Sequence, residues 1–219
     1  MKKLLFTLIY TISIVTIGAL AQTDPAAKKM LNDVSKRYDS YKTIRSEFDL
    51  TVQDAEKKSY NSSGTMYFNK PKKQYAIRLP EQEILSDGRT VWNISKDIKE
   101  VQVTDAEHDD NTIGPNNLFS FYKNGYKYIS MTDEKLTKNG KSEILRVVEL
   151  SPTDTKTNYF KIKLRINKNN HIHDVSIFDK SGNRFTYTIK TLYLGQKFEE
   201  SIFRFAKERY KDYEIIDLR

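Results

Sequence analysis

The chain of 219 residues contains no cysteine. This absence excludes a disulfide framework, so the fold must be stable on the strength of its own core, which a chain of this length permits. It also excludes a lipid anchor of the bacterial lipoprotein type on this protein, because that lipid is carried by a cysteine at the cleavage site. Tryptophan is nearly absent as well, with a single residue at Trp92.

Sequence motifs of the common enzyme classes are missing. No G-x-S-x-G motif, P-loop or dinucleotide-binding fingerprint occurs. The histidines are His108, His171 and His173, and the last two form an H-x-H pair without an evident third metal ligand. The acidic run at 105–111 lacks the spacing and the central glycine of a calcium loop. We therefore predict no catalytic residue, no metal site and no cofactor, with a secreted hydrolase kept as an alternative.

A long hydrophobic run occurs at the amino terminus. Lys2 and Lys3 precede about 17 apolar residues, and the small-x-small sequence Ala19-Leu20-Ala21 follows. This three-part pattern predicts a cleaved signal peptide at residues 1–21 and a mature domain at residues 22–219. The alternative is an uncleaved membrane anchor, since a run of this length can just span a bilayer.

Positive charge is in excess but is not concentrated in one segment. The formal net charge is +8, and removal of the two amino-terminal lysines lowers it to about +6. Basic residues mostly alternate with apolar ones, as in "FKIKLRI" at 160–166. This spacing favours a solvated sheet face over a nucleic-acid-binding stripe, and it leaves a surface that anionic lipid headgroups would attract.

The mature chain opens with a helix signature. Asp24 and Pro25 are a capping acid and a proline at the first helical position. Apolar residues then recur at three- and four-residue spacing, which predicts an amphipathic helix with one apolar stripe; they are Ala27, Met30, Leu31, Val34, Tyr38 and Tyr41.

From Phe48 onward the period of the apolar residues changes to two, and turn signals separate the runs. This pattern predicts an antiparallel, meandering sheet. The apolar segment 112–126, with Pro115 as a helix opener, interrupts the strands, and a weaker helical signal lies at 199–205. A sheet with one apolar face must close into a filled barrel, or curl partway and be covered by helices.

The segment "SDGR" at 86–89 predicts a tight hairpin turn centred on Asp87-Gly88. In that register Leu85 pairs with Thr90, and Ile84 pairs with Val91. Alternation places Leu85, Thr90, Trp92 and Ile94 on one face of the hairpin, with Ile84 and Val91 on the other.

Five stretches resemble one family, in the family's order. They are the opener "DPAAKKMLNDVSKRYDSYKTIRSEF", then "GTMYFNKPKKQYAIRLP", "LSDGRTVWNIS" and "GPNNLFSFY", and the ending "FRF…DLR". Together they resemble LolA, the periplasmic carrier of outer-membrane lipoproteins. The resemblance implies a mainly β fold, an unclosed antiparallel β-barrel (a half-barrel) covered by a lid of short α-helices.

The same resemblance implies a function and partners. The cargo would be triacylated lipoproteins, released by an inner-membrane complex like LolCDE and passed through the periplasm to an outer-membrane acceptor that is LolB-like or of another kind. The protein would act as a monomer, without nucleic acid and without catalysis. A lipid- or lipoprotein-sensing module on the same half-barrel is the alternative.

Site residues follow from the resemblance combined with strand alternation. Lipid-binding positions are predicted on the strands and on the apolar segment, and they are Phe48, Leu50, Met66, Phe68, Tyr75, Ile77, Leu79, Leu85, Trp92, Leu118 and Phe119. Trp92, with Leu85, is expected to face the concave wall. Lys70 stands before a proline where the family often has an arginine that bonds lid-helix carbonyls and holds the empty form shut. Lys70 is thus the predicted lid latch, although a lysine lacks the rigid fork of an arginine.

Overall fold

A computed structural model describes residues 24–106, 113, 116–138 and 140–219. The predicted signal peptide at 1–21, most of the acidic run at 105–111, including His108, and the proposed helix opener Pro115 lie outside these residues. Within the described part of the chain, no helix combines the length and the apolar character that crossing a bilayer requires.

Helix α1 spans Pro25–Asp39, as the amino-terminal signature predicts. The Asp24 side chain accepts a hydrogen bond from the Ala26 backbone N–H at 2.8 Å, so it satisfies one of the free amides of the first turn. The predicted apolar stripe supplies the buried side chains Ala27, Leu31, Val34 and Tyr38. The face that α1 buries is therefore confirmed.

All strands in the described part of the chain belong to one twelve-stranded sheet. They are β1 (Thr43–Gln53), β2 (Ser59–Asn69), β3 (Gln74–Arg78), β4 (Gln82–Ser86), β5 (Thr90–Ser95), β6 (Glu100–Asp105), β7 (Tyr126–Lys138), β8 (Lys141–Pro152), β9 (Tyr159–Ile166), β10 (Ile172–Asp179), β11 (Arg184–Leu194) and β12 (Glu214–Asp217). The order across the sheet is β12-β6-β5-β4-β3-β2-β1-β11-β10-β9-β8-β7. Two antiparallel meanders are joined where β1 pairs with β11, and β12 runs parallel to β6.

The predicted half-barrel is confirmed. Strands β7 and β12 end the sheet and do not pair with each other, so the barrel is unclosed. Its cover consists of α1 and the segment 116–123, of which Phe121–Lys123 is a 3₁₀ helix and not an α-helix. The helical signal near 199–205 corresponds to a 3₁₀ helix at Glu200–Phe203, which contacts β3 and β4.

Both faces of the sheet carry apolar clusters. The interior cluster lies on the face that α1 covers and draws side chains from strands in both meanders. The outer cluster comprises Ala76, Leu85, Ile94, Val101, Val103 and Phe203, with Trp92 and the aromatic side chains of the carboxy-terminal segment 198–213 packed against it. A sheet that is apolar on both faces has no solvated side in this region. Alternation then separates the two faces but does not show which of them is the interior.

The hairpin between β4 and β5 differs in register from the prediction. Leu85 pairs with Trp92, and Ile84 pairs with Asn93, so the predicted pairs are wrong by two positions. The Asp87 carboxylate accepts hydrogen bonds from the Arg89 and Thr90 amides at 2.9 Å, which makes Gly88-Arg89 the centre of the turn. A shift of two preserves the side-chain alternation, so the division of the hairpin into two faces is confirmed.

Gly88 has a conformation and a location that exclude a side chain. Its φ is +94°, and a Cβ atom would collide with the Lys72 carbonyl oxygen. Lys72 belongs to the 3₁₀ helix Lys70–Lys72 between β2 and β3. The tip of the hairpin therefore packs directly on the turn that carries Lys70.

Candidate functional site

Most of the predicted lipid-binding residues lie in the interior cluster. Six are buried there: Phe48, Met66, Phe68, Ile77, Leu118 and Phe119. Three more are partly buried and pack against the same cluster: Leu50, Tyr75 and Leu79. The structure thus brings together β1, β2, β3 and the segment 116–123, as alternation and the resemblance predict, and these residues form one apolar surface beneath α1.

The placement predicted for Leu85 and Trp92 is wrong. Both belong to the outer cluster, on the opposite face from the interior. Trp92 stacks on Phe205, with ring centroids 6.0 Å apart and an angle of 16° between the rings. The carboxy-terminal segment covers this face, so an apolar residue there is buried without facing the concave wall. Ile84, which alternates with Leu85, is the β4 residue that packs on the interior cluster.

The cover closes the interior through aromatic contacts. Tyr38, in the last turn of α1, stacks on Phe119 at 4.6 Å between ring centroids, and Phe119 meets Phe68 edge-on at 5.6 Å. The Tyr38 hydroxyl accepts a hydrogen bond from the Ile172 backbone N–H at 3.1 Å. Burial raises the pKa of Tyr38 well above its ordinary value. Tyr38 is thus a neutral side chain at the centre of the closed form.

Lys70 contacts the carboxy-terminal end of the cover. Its ammonium group donates a hydrogen bond to the backbone carbonyl oxygen of Tyr38, and it lies 3.9 Å from an Asp39 carboxylate oxygen. This carbonyl lies in the last turn of the helix and also accepts a hydrogen bond from the Tyr41 backbone N–H at 3.1 Å. Burial lowers the pKa of Lys70, and the Asp39 charge opposes that shift. The contact joins the cover to the turn between β2 and β3.

Lys123 fastens the same end of the helix to the segment 116–123. Its ammonium group contacts both carboxylate oxygens of Asp39, at 2.8 and 3.0 Å. Both side chains are substantially exposed, so this ion pair contributes little stability by itself. Its role is geometric, because it aligns α1 with the neighbouring 3₁₀ helix.

The amino-terminal end of α1 is held on the edge strand β7. The Asp24 carboxylate accepts hydrogen bonds from the Ser130 amide at 2.9 Å and from the Ser130 hydroxyl. The Asp24 amide donates to the Tyr128 carbonyl at 3.0 Å. Ser130 lowers the pKa of Asp24, with the hydroxyl contributing most. A single residue therefore caps the helix and attaches it to the sheet.

We expect acid to weaken this attachment. Because the pKa of Asp24 is lowered in the folded protein, its contribution to stability is complete above about pH 4 and is lost as pH falls through the lowered pKa. Asp24→Asn should flatten the pH dependence of the thermal midpoint between about pH 5 and pH 2. Asp97→Asn, at an exposed turn residue, is the control. An unchanged slope in Asp24→Asn would show that this carboxylate does not hold the helix.

The two histidines of the H-x-H pair enter different contacts. A His171 ring nitrogen lies 2.8 Å from the Tyr41 hydroxyl, beside the end of α1, and burial lowers the pKa of His171. His173 contacts the buried Asp174 carboxylate, which also forms an ion pair with Arg165 at 2.7 Å. Within the described residues, no group of three or more His, Cys, Asp or Glu side chains could hold a metal ion.

Sequence reasoning missed several residues of the site. Ser130 is one of them, because nothing in the sequence around it indicates a contact with Asp24. Tyr122 is another, since its position in the apolar segment gave no hint that its ring would lie against α1. Interior residues on β8–β11, which are distant in sequence from α1, follow a period-two pattern that could have identified them. They include Val148, Leu150, Ile162, Leu164 and Tyr187.

Comparison with protein families gives one match over most of the chain. The family model described as "Outer membrane lipoprotein carrier protein LolA" matches residues 39–206. This range runs from the last residue of α1 through β11 to the carboxy-terminal segment that covers the outer face. The curated proteins include no sequence that matches.

The solved structures that resemble this chain are distant in sequence. An uncharacterized conserved protein from Thermus thermophilus has a TM-score of 0.55 at 10% identity, over 88% of this chain and 99% of that chain. A LolA superfamily protein from Nitrosomonas europaea has a TM-score of 0.43 at 12% identity, over 81% of this chain and 97% of that chain. A putative outer membrane lipoprotein-sorting protein domain from Vibrio parahaemolyticus has a TM-score of 0.44 at 14% identity, over 84% and 99%. At 10% identity the likeness to the Thermus thermophilus protein concerns the fold alone.

Proposed function

The chain belongs to the LolA family, and we propose that it is a periplasmic carrier that shelters the acyl chains of lipoproteins in its interior and delivers them to the outer membrane. One observation carries the proposal: a continuous apolar interior lies beneath a helix whose two ends are fastened by polar contacts. Polar contacts at the ends of a cover can break and re-form without disturbing the sheet, which suits binding followed by release.

The energies are compatible with a cover that cargo displaces. Burying a methylene group is worth about 0.8 kcal/mol, so an acyl chain of 16 carbons corresponds to roughly 12 kcal/mol. The larger buried side chains of α1 are Leu31, Val34 and Tyr38. Their burial is worth roughly 5–9 kcal/mol together. The free energy gained by burying one acyl chain therefore exceeds the cost of lifting α1 away. The same free energy strongly disfavours an unbound lipoprotein in water.

The proposed route has a donor and an acceptor. The cargo is a triacylated lipoprotein, the donor an inner-membrane releasing complex like LolCDE, and the acceptor an outer-membrane receptor that is LolB-like or of another kind. A signal peptide at residues 1–21 would export the chain, and the carrier would act as a monomer. The proposal includes no chemical step, because shielding and releasing an acyl chain needs only a change in the population of open and closed forms.

A direct experiment tests the proposal. Purified protein is added to spheroplasts, and the soluble fraction is examined for lipoproteins, with native mass spectrometry of the recovered protein. A carrier should bring lipoproteins into solution as a complex of defined mass. Recovery of the protein without lipoprotein or lipid, under conditions in which lipoproteins are being released, would refute the carrier function.

We expect Lys70→Leu to alter cargo release while the fold stays intact. The substitution removes the hydrogen bond to the Tyr38 carbonyl, which should cost about 1 kcal/mol of stability in the closed form. Closure of the empty form helps to expel cargo, so transfer of a bound lipoprotein to acceptor membranes should slow about fivefold. Hydrogen exchange in α1 should accelerate, and Lys70→Arg should restore transfer, because an arginine also donates to the carbonyl.

The matched control is Lys72→Leu. Lys72 lies in the same 3₁₀ helix, but its ammonium contacts Glu200 on the other side of the sheet and not α1. Equal transfer rates for wild type, Lys70→Leu and Lys72→Leu would exclude a latch role for Lys70.

A further inference from the structure

A cavity lies at the seam between α1 and the chain that runs from the 3₁₀ helix Phe121–Lys123 into β7. Its volume is about 280 Å³, and its lining comes from α1, from the 3₁₀ helix Phe121–Lys123 and from β7. This volume is near the lower limit of small-molecule sites, so it suits one end of a single chain and not three acyl chains. The seam is also where the unclosed barrel presents its edge strand β7.

The inner part of the cavity is formed by one leucine and two tyrosine side chains. Leu31 and Tyr122 are buried members of the interior cluster, and Tyr128 packs against it, so the cavity borders the proposed cargo space. The Tyr122 side chain is 1% exposed, and its hydroxyl makes no hydrogen bond of ordinary geometry within the described residues. Burial raises the pKa of Tyr122, and the Ser35 side chain opposes the shift. A buried phenol whose contact with the Ser35 side chain falls outside ordinary hydrogen-bond geometry can bind a ligand oxygen at little desolvation cost.

The rim of the cavity is polar and carries more positive than negative charge. Lys28 and Lys123 supply two cations, and Asp39 supplies one anion, which Lys123 already contacts. Lys28 forms no ion pair within the part of the chain that the structure describes. Asn32 and Ser35 add uncharged polar groups. An apolar floor beneath a cationic rim matches an aliphatic chain that ends in a carboxylate or an ester carbonyl.

The two ends of α1 differ in how they are attached. The carboxy-terminal end continues through residues 40–42 into β1, so this short connection limits its movement even when the Lys70 contact breaks. The amino-terminal end is held on β7 by hydrogen bonds of Asp24 to Ser130 and Tyr128. Opening is therefore easiest by release of Asp24 from β7, which widens the seam in which the cavity lies.

We propose that the seam between α1 and β7 is the portal for acyl chains, and that its cavity binds the carbonyl end of one chain. The Tyr122 hydroxyl donates to the carbonyl oxygen, Lys28 faces the polar end, and the aliphatic tail extends past Leu31 into the interior. This inference rests on the proposed function and adds to it the place and the chemistry of the first contact.

The test uses cis-parinaric acid, a fluorescent fatty acid, and its uncharged methyl ester. Ser35→Trp fills the cavity and should slow association of both probes by about tenfold or more. Tyr122→Phe removes only the phenolic hydroxyl and should lower the affinity for both probes by about two- to tenfold. Lys28→Gln should lower the affinity for the acid by about two- to fivefold and leave the affinity for the ester unchanged. Asn32→Trp, on the exposed rim, repeats the blocking test if Ser35→Trp folds poorly.

Two matched controls share the chemistry but not the cavity. Tyr210→Phe removes a hydroxyl from the carboxy-terminal segment that packs on the outer cluster, and Lys127→Gln removes an exposed charge from β7. Both should bind the probes as wild type does. Capture of lipoproteins from spheroplasts by the blocked variants, measured in parallel, distinguishes the acyl chain of a lipoprotein from a free fatty acid.

The outcomes separate the two proposals. Slower binding of the probes together with slower capture of lipoproteins in the blocked variants supports the portal. Wild-type rates in Ser35→Trp, Asn32→Trp and Tyr122→Phe overturn it while the carrier function stands. Slower binding of the fatty acid with unchanged lipoprotein capture also overturns it, because cargo then enters elsewhere. A wild-type protein that binds neither probe nor lipoprotein refutes the carrier function itself.

Discussion

A covalent tie between the start of α1 and strand β7 is expected to abolish lipoprotein capture. Asp24→Cys together with Ser130→Cys places two thiols where a carboxylate and a hydroxyl are now in direct contact. The chain has no other cysteine, so the oxidised protein contains one defined disulfide. If cargo reaches the interior only when α1 moves, oxidation should reduce capture from spheroplasts by roughly tenfold or more, because the open form is no longer populated.

Two comparisons make this result specific to the cover. The reduced form of the same double variant lacks the helix cap equally, so any difference between oxidised and reduced protein comes from the tie. A second pair, Thr51→Cys with Asn61→Cys, replaces an exposed side-chain hydrogen bond of 2.8 Å between directly paired residues of β1 and β2. Oxidation of that pair should leave capture unchanged. Full capture by the oxidised Asp24 and Ser130 pair would mean that α1 is not a movable cover.

Truncation of Phe48 is expected to produce the largest loss of stability. The residue is fully buried in the interior cluster, and its ring fills the space above Gly64 on the paired strand β2. A Cβ atom at Gly64 would lie 2.7 Å from the Phe48 ring, so the glycine and the aromatic ring are complementary. Phe48→Ala should lower the free energy of unfolding by about 3–5 kcal/mol, because it removes apolar burial and leaves a cavity.

Urea unfolding followed by Trp92 fluorescence and by circular dichroism measures this loss. Trp92 reports the outer cluster, so coincident transitions would show that the two faces unfold together. Phe160→Ala is the matched control, since Phe160 is 53% exposed and its loss should cost less than about 1 kcal/mol. A cost for Phe48→Ala as small as that of Phe160→Ala would mean that the interior is loosely packed at this position.

The carrier function and the stability of the empty form make opposing demands on the interior. The same side chains that would line the cargo space are packed against α1 in the closed form, as the stacking of Tyr38 on Phe119 illustrates. Apolar contacts are not directional, so acyl chains can replace them with similar energy. Polar contacts at Asp24 and Lys70 are directional, and they specify one closed position for the helix.

Local features of the chain were predictable from the sequence. Asp24 and Pro25 start α1, because a capping carboxylate and a proline satisfy the geometry of a first helical turn wherever they occur. Period-two alternation divided the strands into two faces, and even a register error of two positions in the β4–β5 hairpin left that division intact. An apolar face that cannot remain in water left two forms open, a filled barrel or a curled sheet under a helical cover, and the resemblance to LolA implied the second.

The tertiary structure alone decided which face became the interior and what holds the cover. Trp92 and Ile84 are both apolar positions on one hairpin, and only the distant segment 198–213 makes the face of Trp92 the outer one. Asp24 and Ser130 are likewise 106 positions apart in the sequence, and no local pattern encodes their contact. Local propensity depends on neighbouring residues, whereas inside and outside depend on which remote segment covers a face, and that choice is made only when the whole chain packs.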